Sequence, residues 1–161
     1  MSEAIQLILG EFSRKLDDRF RLTLPGEFEE VFKPEFGKCV IAKERPGCLS
    51  LWDEESWKAK LDARVDLIQQ RFKLGDLEQK MPELQMLGRL LSTRHREIKL
   101  AERGRIVLPE GFREFLAVEP GNEVMVVGAA VCIEIWQPQK WFNYIEGEIP
   151  AFRNLLDTLS H

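Results

Sequence analysis

Two stretches of this chain are copies of one another, and this duplication limits the possible folds more than any other feature. Residues 16–57 align without a gap with residues 100–141, at an offset of 84 positions. Of the 42 aligned positions 13 are identical, and the four tryptophans fall into matched pairs, Trp52 with Trp136 and Trp57 with Trp141. A unit of this length can hardly bury a core alone, so the two copies are predicted to share one.

Each copy shows the same order of predicted elements. A short apolar strand leads into a charged segment, residues 17–21 in the first copy and 101–105 in the second, and a second apolar strand follows. We predict that these strands form a hairpin-like unit. A proline, a short amphipathic helix beginning near Phe28 or Phe112, a glycine turn and two further strands complete the copy. The pattern predicts a mainly-β chain with flanking helices, of the α+β class, built on one small β-barrel.

Helix is predicted after the first copy. Asp53 is a suitable N-cap for a helix whose apolar residues recur every three or four positions from Trp57 to Phe72, and Gly75 is predicted to end it. A second helix is predicted to begin near Pro82.

After the second copy, Pro138 is predicted to open a shorter helix that Gly147 and Pro150 break, and residues 152–159 to form a last helix. We therefore divide the chain into repeat 1 (9–57), a helical connector (58–93), repeat 2 (94–141) and a C-terminal helical segment (142–161).

Composition excludes several functional classes. The net charge is −4, so the strongly basic footprint of many nucleic-acid-binding chains is missing. Apolar runs are too short for a membrane-spanning helix, and the first residues lack the charged region of a signal peptide. We expect a cytoplasmic protein. Three cysteines argue against a disulfide scaffold. Cys48 and Cys132 are predicted to be buried, and the sequence offers no metal-ligand spacing, catalytic set or cofactor loop.

Positive charge is concentrated in two places. Residues 14–21 carry a net +2 and residues 89–105 a net +4. Because arginine forks suit phosphates and guanine edges, we predict DNA contacts at Arg21 and Arg105 first, and then at Arg19, Arg103, Arg14, Lys15 and Lys99. Asp17 is predicted to organise the first loop, since a carboxylate repels phosphate. The alternative is that these arginines form a solvated face and that Asp17 with Arg21 only braces a turn.

The segments LDDRFRLTLP and LAERGRIVLP resemble the MraZ family of bacterial transcriptional regulators, whose pattern in each half is Asp-x-x-x-Arg, an apolar strand, a proline and a helix bearing phenylalanine. Asp17 and Arg21 match it in the first copy, and Arg105 matches it in the second. Two positions depart from the pattern, since Phe20 stands where the family usually has glycine and Ala101 where it has aspartate.

The resemblance implies a tandem AbrB-like swapped-hairpin β-barrel (the SpoVT/AbrB domain) and a non-enzymatic, sequence-specific DNA-binding regulator. It also implies ring-shaped homo-oligomers that bind repeated elements in double-stranded DNA, upstream of the division and cell-wall gene cluster. Such a protein would be associated with the nucleoid and not with a membrane. A ring that meets repeated sites gains avidity, which would reconcile an acidic chain with DNA binding. The alternative is a divergent ring-forming protein-interaction module that has lost DNA binding, as Phe20, Ala101 and the net charge favour.

Overall fold

A six-stranded antiparallel sheet dominates the computed structural model, which describes residues 6–73 and 80–161. The strands of the chain are β1 (Ile8–Lys15), β2 (Arg21–Thr23), β3 (Lys38–Arg45), β4 (Cys48–Asp53), β5 (His95–Lys99), β6 (Arg105–Val107), β7 (Glu123–Ala130) and β8 (Ile133–Trp136). The sheet has the order β1-β7-β8-β4-β3-β5, and β2 pairs with β6 as a separate two-stranded ribbon. This arrangement confirms a mainly-β protein with flanking helices.

Most strand pairs join the two copies. β1 pairs with β7, β5 with β3, β4 with β8 and β2 with β6. The predicted hairpin between the strands that flank each charged segment is therefore wrong. One backbone hydrogen bond closes each segment, from Asp17 N to Arg21 O at 3.1 Å and from Ala101 N to Arg105 O at 2.8 Å. After this bond, the strand that follows each segment pairs with a strand of the other copy. β2 and β6 are three residues long and each has one buried side chain, which is buried best against the equivalent residue of the other strand.

The predicted β-barrel is wrong, because the described residues do not form a closed barrel. β1 and β5 are the two edges of the six-stranded sheet, and β2 and β6 pair only with each other. Because the ribbon does not bridge the edges, the sheet stays open.

The helices are α1 (Glu54–Lys73), α2 (Met81–Thr93), α3 (Phe112–Leu116) and α4 (Pro138–Ser160). Side chains alternate between the two faces of the sheet. Ile41, Leu51 and Ile135 lie on the face that shares a core with the ribbon residues Leu22 and Ile106. The other face carries α1 and α4, so the molecule has three layers.

Two helix predictions need correction. α4 is one continuous helix, with Pro150 inside it, where a break was predicted. A proline or glycine removes only part of the i→i−4 ladder, and the bonds on either side can continue the helix. In the first copy the predicted short helix is only a 3₁₀ turn, Gly26–Phe28. Asp53 caps α1 as predicted, since its Oδ2 accepts from Ser56 N at 3.0 Å.

The predicted helix end at Gly75 lies outside the described residues. Within 6–73 and 80–161, no helix is both long enough and apolar enough to cross a membrane.

Candidate nucleic-acid interface

The β2–β6 ribbon brings the two leading candidates together. Its register pairs Arg21 with Val107, Leu22 with Ile106 and Thr23 with Arg105. The central pair is buried in the core, so the flanking pairs project from the opposite face of the ribbon. Arg21 and Arg105 are diagonal neighbours on that face, with Cα atoms roughly 7–8 Å apart by the geometry of antiparallel strands.

Asp17 organises the first charged loop through three hydrogen bonds. Its Oδ1 accepts from the backbone N–H groups of Arg19 and Arg21, both at 2.8 Å, and its Oδ2 accepts from Arg21 Nε at 2.7 Å. These bonds, the one from the Arg21 backbone first, lower the pKa of the Asp17 carboxyl below its ordinary value. The ion pair is partly exposed, with 38% of each side chain accessible, so its role is to fix the guanidinium direction more than to add stability.

The second loop is held without a carboxylate. The Ala101 side chain cannot accept a hydrogen bond, and the loop instead forms a 3₁₀ turn, Glu102–Gly104. Arg103 and Gly104 both have positive φ, +65° and +71°. Within the described part of the chain, the Arg105 side chain has neither a hydrogen bond nor an ion pair, whereas Arg21 is tied to its loop. Arg21 and Arg105 therefore share a face of the ribbon, but only the Arg21 side chain is held by a contact to its own loop.

Two backbone hydrogen bonds lock the loops of the two copies onto each other. Leu24 N donates to Gly104 O at 2.8 Å, and Leu108 N donates to Phe20 O at 2.9 Å. Phe20 and Gly104 are equivalent in the repeat, and both adopt a left-handed backbone, Phe20 at φ +58°. Phe20 therefore adopts the left-handed backbone conformation that glycine has at the equivalent position. Its ring packs against the Arg113 guanidinium, 4.2 Å from the ring centroid.

Arg19 and Arg103 are exposed in the loops that flank the ribbon. Arg14 lies on β1 with its side chain partly buried. Its Nη1 donates to Ser13 O at 2.8 Å, and its guanidinium lies 5.4 Å from the Phe12 ring centroid.

Lys15 and Lys99 are exposed at the ends of the strands that enter the loops, but alternation places both on the helix side of the sheet. Glu11, on the Lys15 face of β1, accepts from Trp141 Nε1 of α4 at 3.1 Å. His95, on the Lys99 face of β5, lies 5.2 Å from the ring of Trp57 on α1. The structure does not bring these two lysines onto the ribbon face.

Three residues near the ribbon were not identified from the sequence. Thr23 and Val107 complete its outer face, and Arg113 fixes Phe20 while its Nε donates to Leu108 O at 2.6 Å. The alternation Arg-Leu-Thr and Arg-Ile-Val could have identified the first two, because the buried central residue forces its neighbours outward.

The cysteines lie away from this face and are buried, as predicted for Cys48 and Cys132. Burial raises the pKa of the Cys39 and Cys132 thiols to about 12 in each case. In the described ranges, no group of three or more His, Cys, Asp and Glu residues is placed to hold a metal ion.

Comparisons with known proteins agree with the motif. Residues 91–157 match the family model described as "MraZ protein, putative antitoxin-like". The chain is 28% identical over 153 residues to the transcriptional regulator MraZ of Syntrophomonas wolfei, covering 95% of this chain and 96% of the relative. It is 28% identical over 156 residues to that of Thermomicrobium roseum, covering 95% and 99%, and 29% identical over 138 residues to that of Moorella thermoacetica, covering 86% of each.

The solution structure of PHS018 from Pyrococcus horikoshii overlaps 81% of this chain and 90% of that one, with a TM-score of 0.33 and 10% identity.

Proposed function

We propose that this chain is a member of the MraZ family and a sequence-specific DNA-binding transcriptional regulator, which the match of residues 91–157 to that family model and the similarity to two MraZ regulators support. The observation that supports this most directly is the outward face of the β2–β6 ribbon, where Arg21 and Arg105 are neighbours. The major groove of DNA admits a two-stranded ribbon, and an arginine fork can bind guanine O6 and N7 with two hydrogen bonds.

The residues around the ribbon have different proposed roles. Arg21 and Arg105 read base edges, and the exposed Arg19 and Arg103 bind phosphates on either side. Asp17 keeps Arg21 directed outward and touches no DNA, because its carboxylate would repel a phosphate. Arg14, Lys15 and Lys99 contribute peripheral phosphate contacts at most, and their loss should lower the salt dependence of binding more than its sequence preference.

We further propose that the two repeats, 9–57 and 94–141, form an AbrB-like swapped-hairpin pair. The cross-copy pairing of β1 with β7 and of β5 with β3 supports this exchange. The segments 58–93 and 142–161 are the helical connector and the C-terminal segment.

The proposed assembly is a ring homo-oligomer that acts on repeated DNA elements upstream of division and cell-wall genes, in the cytoplasm at the nucleoid. The second half of α4 supports self-association, because Ile149, Phe152, Leu156 and Leu159 recur every three or four residues and are all more than half exposed. Several subunits bound to neighbouring repeats would offset a modest affinity per subunit.

The test compares two double variants with the wild type. Arg21→Ala with Arg105→Ala removes the ribbon arginines, and Arg89→Ala with Lys140→Ala removes the same charge from exposed helix positions. Fluorescence anisotropy measures binding to the chain's own upstream DNA and to a scrambled duplex at two salt concentrations. Each base-reading arginine should be worth about 1–3 kcal/mol, so the ribbon variant should lose at least about 30-fold in affinity.

The helix variant should bind as the wild type does, and both should keep their mass in light scattering. Unchanged affinity in the ribbon variant would refute the proposed interface.

A second candidate function is a protein-interaction module that kept the fold and lost DNA binding. The net charge of −4 and the exposed apolar residues of α4 favour it. Equal or absent binding of wild-type protein to both duplexes would favour this candidate.

A further inference from the structure

Three cations lie around α3, on the ribbon side of the sheet. The register pairs Arg96 of β5 with Ile41, whose side chain lies in the core under the ribbon, and Lys43 follows Ile41 by two residues on β3. Both cations therefore leave the sheet on that face. Arg94, directly before β5, joins them, because its Nη2 donates to Lys43 O at 2.6 Å. We name Lys43, Arg94 and Arg96 the α3 cation cluster.

The cluster lies against the aromatic rings of α3. Lys43 Nζ is 5.1 Å from the ring centroid of Phe112 and 5.7 Å from that of Phe115. The guanidinium carbon of Arg96 lies 5.6 Å from the Phe112 centroid, and that of Arg94 lies 5.7 Å from the Phe115 centroid. Such contacts hold a cation in place without neutralising its charge.

No carboxylate compensates the cluster. Within residues 6–73 and 80–161, none of its three side chains forms an ion pair. Glu114, the carboxylate of α3, is engaged at the start of that helix, where its Oε2 accepts from Gly111 N at 2.6 Å. The cluster thus concentrates three positive charges on a chain whose net charge is −4.

The corresponding place in the other half of the molecule is not charged. The strands β1 and β7 pair there as β5 and β3 pair here, and the residues at the matching positions are Gly10, Phe12 and Gly128. The Phe12 ring packs edge-on against Phe28, the counterpart of Phe112, with ring centroids 5.4 Å apart. Because an aromatic ring completes the packing at that place, the fold does not require cations here.

The helix α3 connects the cluster to the first charged loop. The Arg113 guanidinium lies 4.2 Å from the ring centroid of Phe20, which directly precedes Arg21. The counterpart of Arg113 in the first copy is Glu29, whose Oε1 lies beside the second loop, 3.5 Å from where a Cβ on Gly104 would be. Positive charge therefore borders the first loop, and negative charge borders the second.

We propose that the α3 cation cluster binds the phosphate backbone of the same duplex whose bases the ribbon reads, an inference that rests on the proposed function. A ribbon in the major groove, about 12 Å wide, has a phosphate backbone on either side. The cluster meets the backbone on the side of the first loop, and Arg14, at the end of β1 that enters this loop, lies on that side too.

The one-sided charge orients the subunit. Two similar copies build the ribbon, so it could enter the groove in two opposite orientations. Phosphate contacts fix the orientation of a protein on DNA without reading its sequence. Since only one side of the ribbon carries the cluster, one orientation is favoured.

The first test measures the salt dependence of binding by fluorescence anisotropy, with the native upstream duplex and a scrambled one. Lys43→Gln with Arg96→Gln removes two charges and should lower the slope of log affinity against log salt by about 1–2, while the preference for the native duplex stays. Lys43→Arg with Arg96→Lys keeps the charge and should keep the slope. Arg89→Ala with Lys140→Ala, the control for overall charge, should also keep it.

An unchanged slope in the glutamine variant, with the sequence preference intact, would overturn the cluster alone. A lower slope in that variant, when the wild type has no sequence preference, would support the cluster and refute the sequence-specific regulator. Absence of wild-type binding to either duplex would overturn both proposals.

The second test measures orientation. Glu110→Cys places a thiol at an exposed position just before α3, and the native cysteines are buried, so an iron chelate that cleaves DNA can be attached there alone. On a duplex with a single native element, cleavage should fall on one side of that element. It should become even on the two sides when Lys43→Gln and Arg96→Gln are added. Even cleavage by the protein with the intact cluster would overturn the orienting role.

Discussion

Substitution of Phe20 by alanine or by glycine allows the backbone strain in the proposed DNA-binding loops to be measured. Its φ of +58° is in the left-handed region, which residues with a Cβ seldom adopt. Replacing it with alanine or with glycine removes the same ring, which packs partly against the core and against Arg113. Only the glycine variant also relieves the strain.

The two variants differ by terms of known size. A left-handed conformation costs a residue with a Cβ about 1–2 kcal/mol. Glycine also has more conformational freedom in the unfolded state, and this lowers the stability of the glycine variant by about 0.4–1 kcal/mol. The glycine variant should therefore be more stable than the alanine variant by roughly 0.5–1 kcal/mol. Both should be less stable than wild type, because a half-buried ring and its cation–π contact are together worth about 1.5–3 kcal/mol.

Urea unfolding followed by circular dichroism measures these differences. Gly104→Ala is the matched control at the equivalent position, where φ is +71° and an added Cβ would come no closer than 3.5 Å to its neighbours. It should cost about the same 0.5–1 kcal/mol, without any change in packing. If Phe20→Ala proves as stable as Phe20→Gly, the strain argument is wrong.

Three further predictions concern the loop, the sheet and the helix. Hydrogen bonds lower the pKa of the Asp17 carboxyl in the folded protein. The stability that this carboxylate adds is therefore complete above its ordinary pKa of 3.8 and is lost as the pH falls through the lower pKa of the folded state. The amide NMR shift of Arg21 should titrate with Asp17 in the wild type and stay flat in Asp17→Ala. Gly128→Ala should destabilise the fold by about 1–3 kcal/mol in urea, because its Cβ would lie 2.5 Å from the Ile8 carbonyl oxygen, and a cost below about 0.5 kcal/mol would contradict that contact. Phe152→Glu should lower the mass seen by light scattering without lowering the melting temperature, because this side chain is 59% exposed, and an unchanged mass would argue against α4 as a contact between subunits.

Local signals in the sequence predicted much of this protein. Apolar residues after each charged segment, around Leu22 and Ile106, indicated the short strands, and Asp53 marked the start of α1. The spacing of Asp17 and Arg21 led to the loop, and the structure adds two backbone bonds to the ion pair. These features were predictable because each depends on residues a few positions apart.

Strand pairing was not predictable in the same way. The segments that flank residues 17–21 fit a hairpin by their composition, yet each strand pairs with a segment of the other copy. The sequence pattern of a short strand does not specify which strand it pairs with, and burial of the whole core decides between the partners. The same limit applies to Lys15 and Lys99, whose charge was evident but whose face of the sheet was not.

By itself, the sequence determined the duplication, the α+β class and the resemblance to the MraZ pattern, and it predicted the arginines proposed to bind DNA, because each depends on residue type and short-range spacing. Only the tertiary structure decided that Arg21 and Arg105 become neighbours and that Phe20 adopts a backbone conformation typical of glycine. It also decided that Trp57 Nε1 finds no acceptor among the described residues, whereas Trp141 Nε1 donates to Glu11. Each of these depends on contacts between residues about 80 or more positions apart, or on the locking of one loop against another. Such contacts are set by burial in a shared core, which no local pattern encodes.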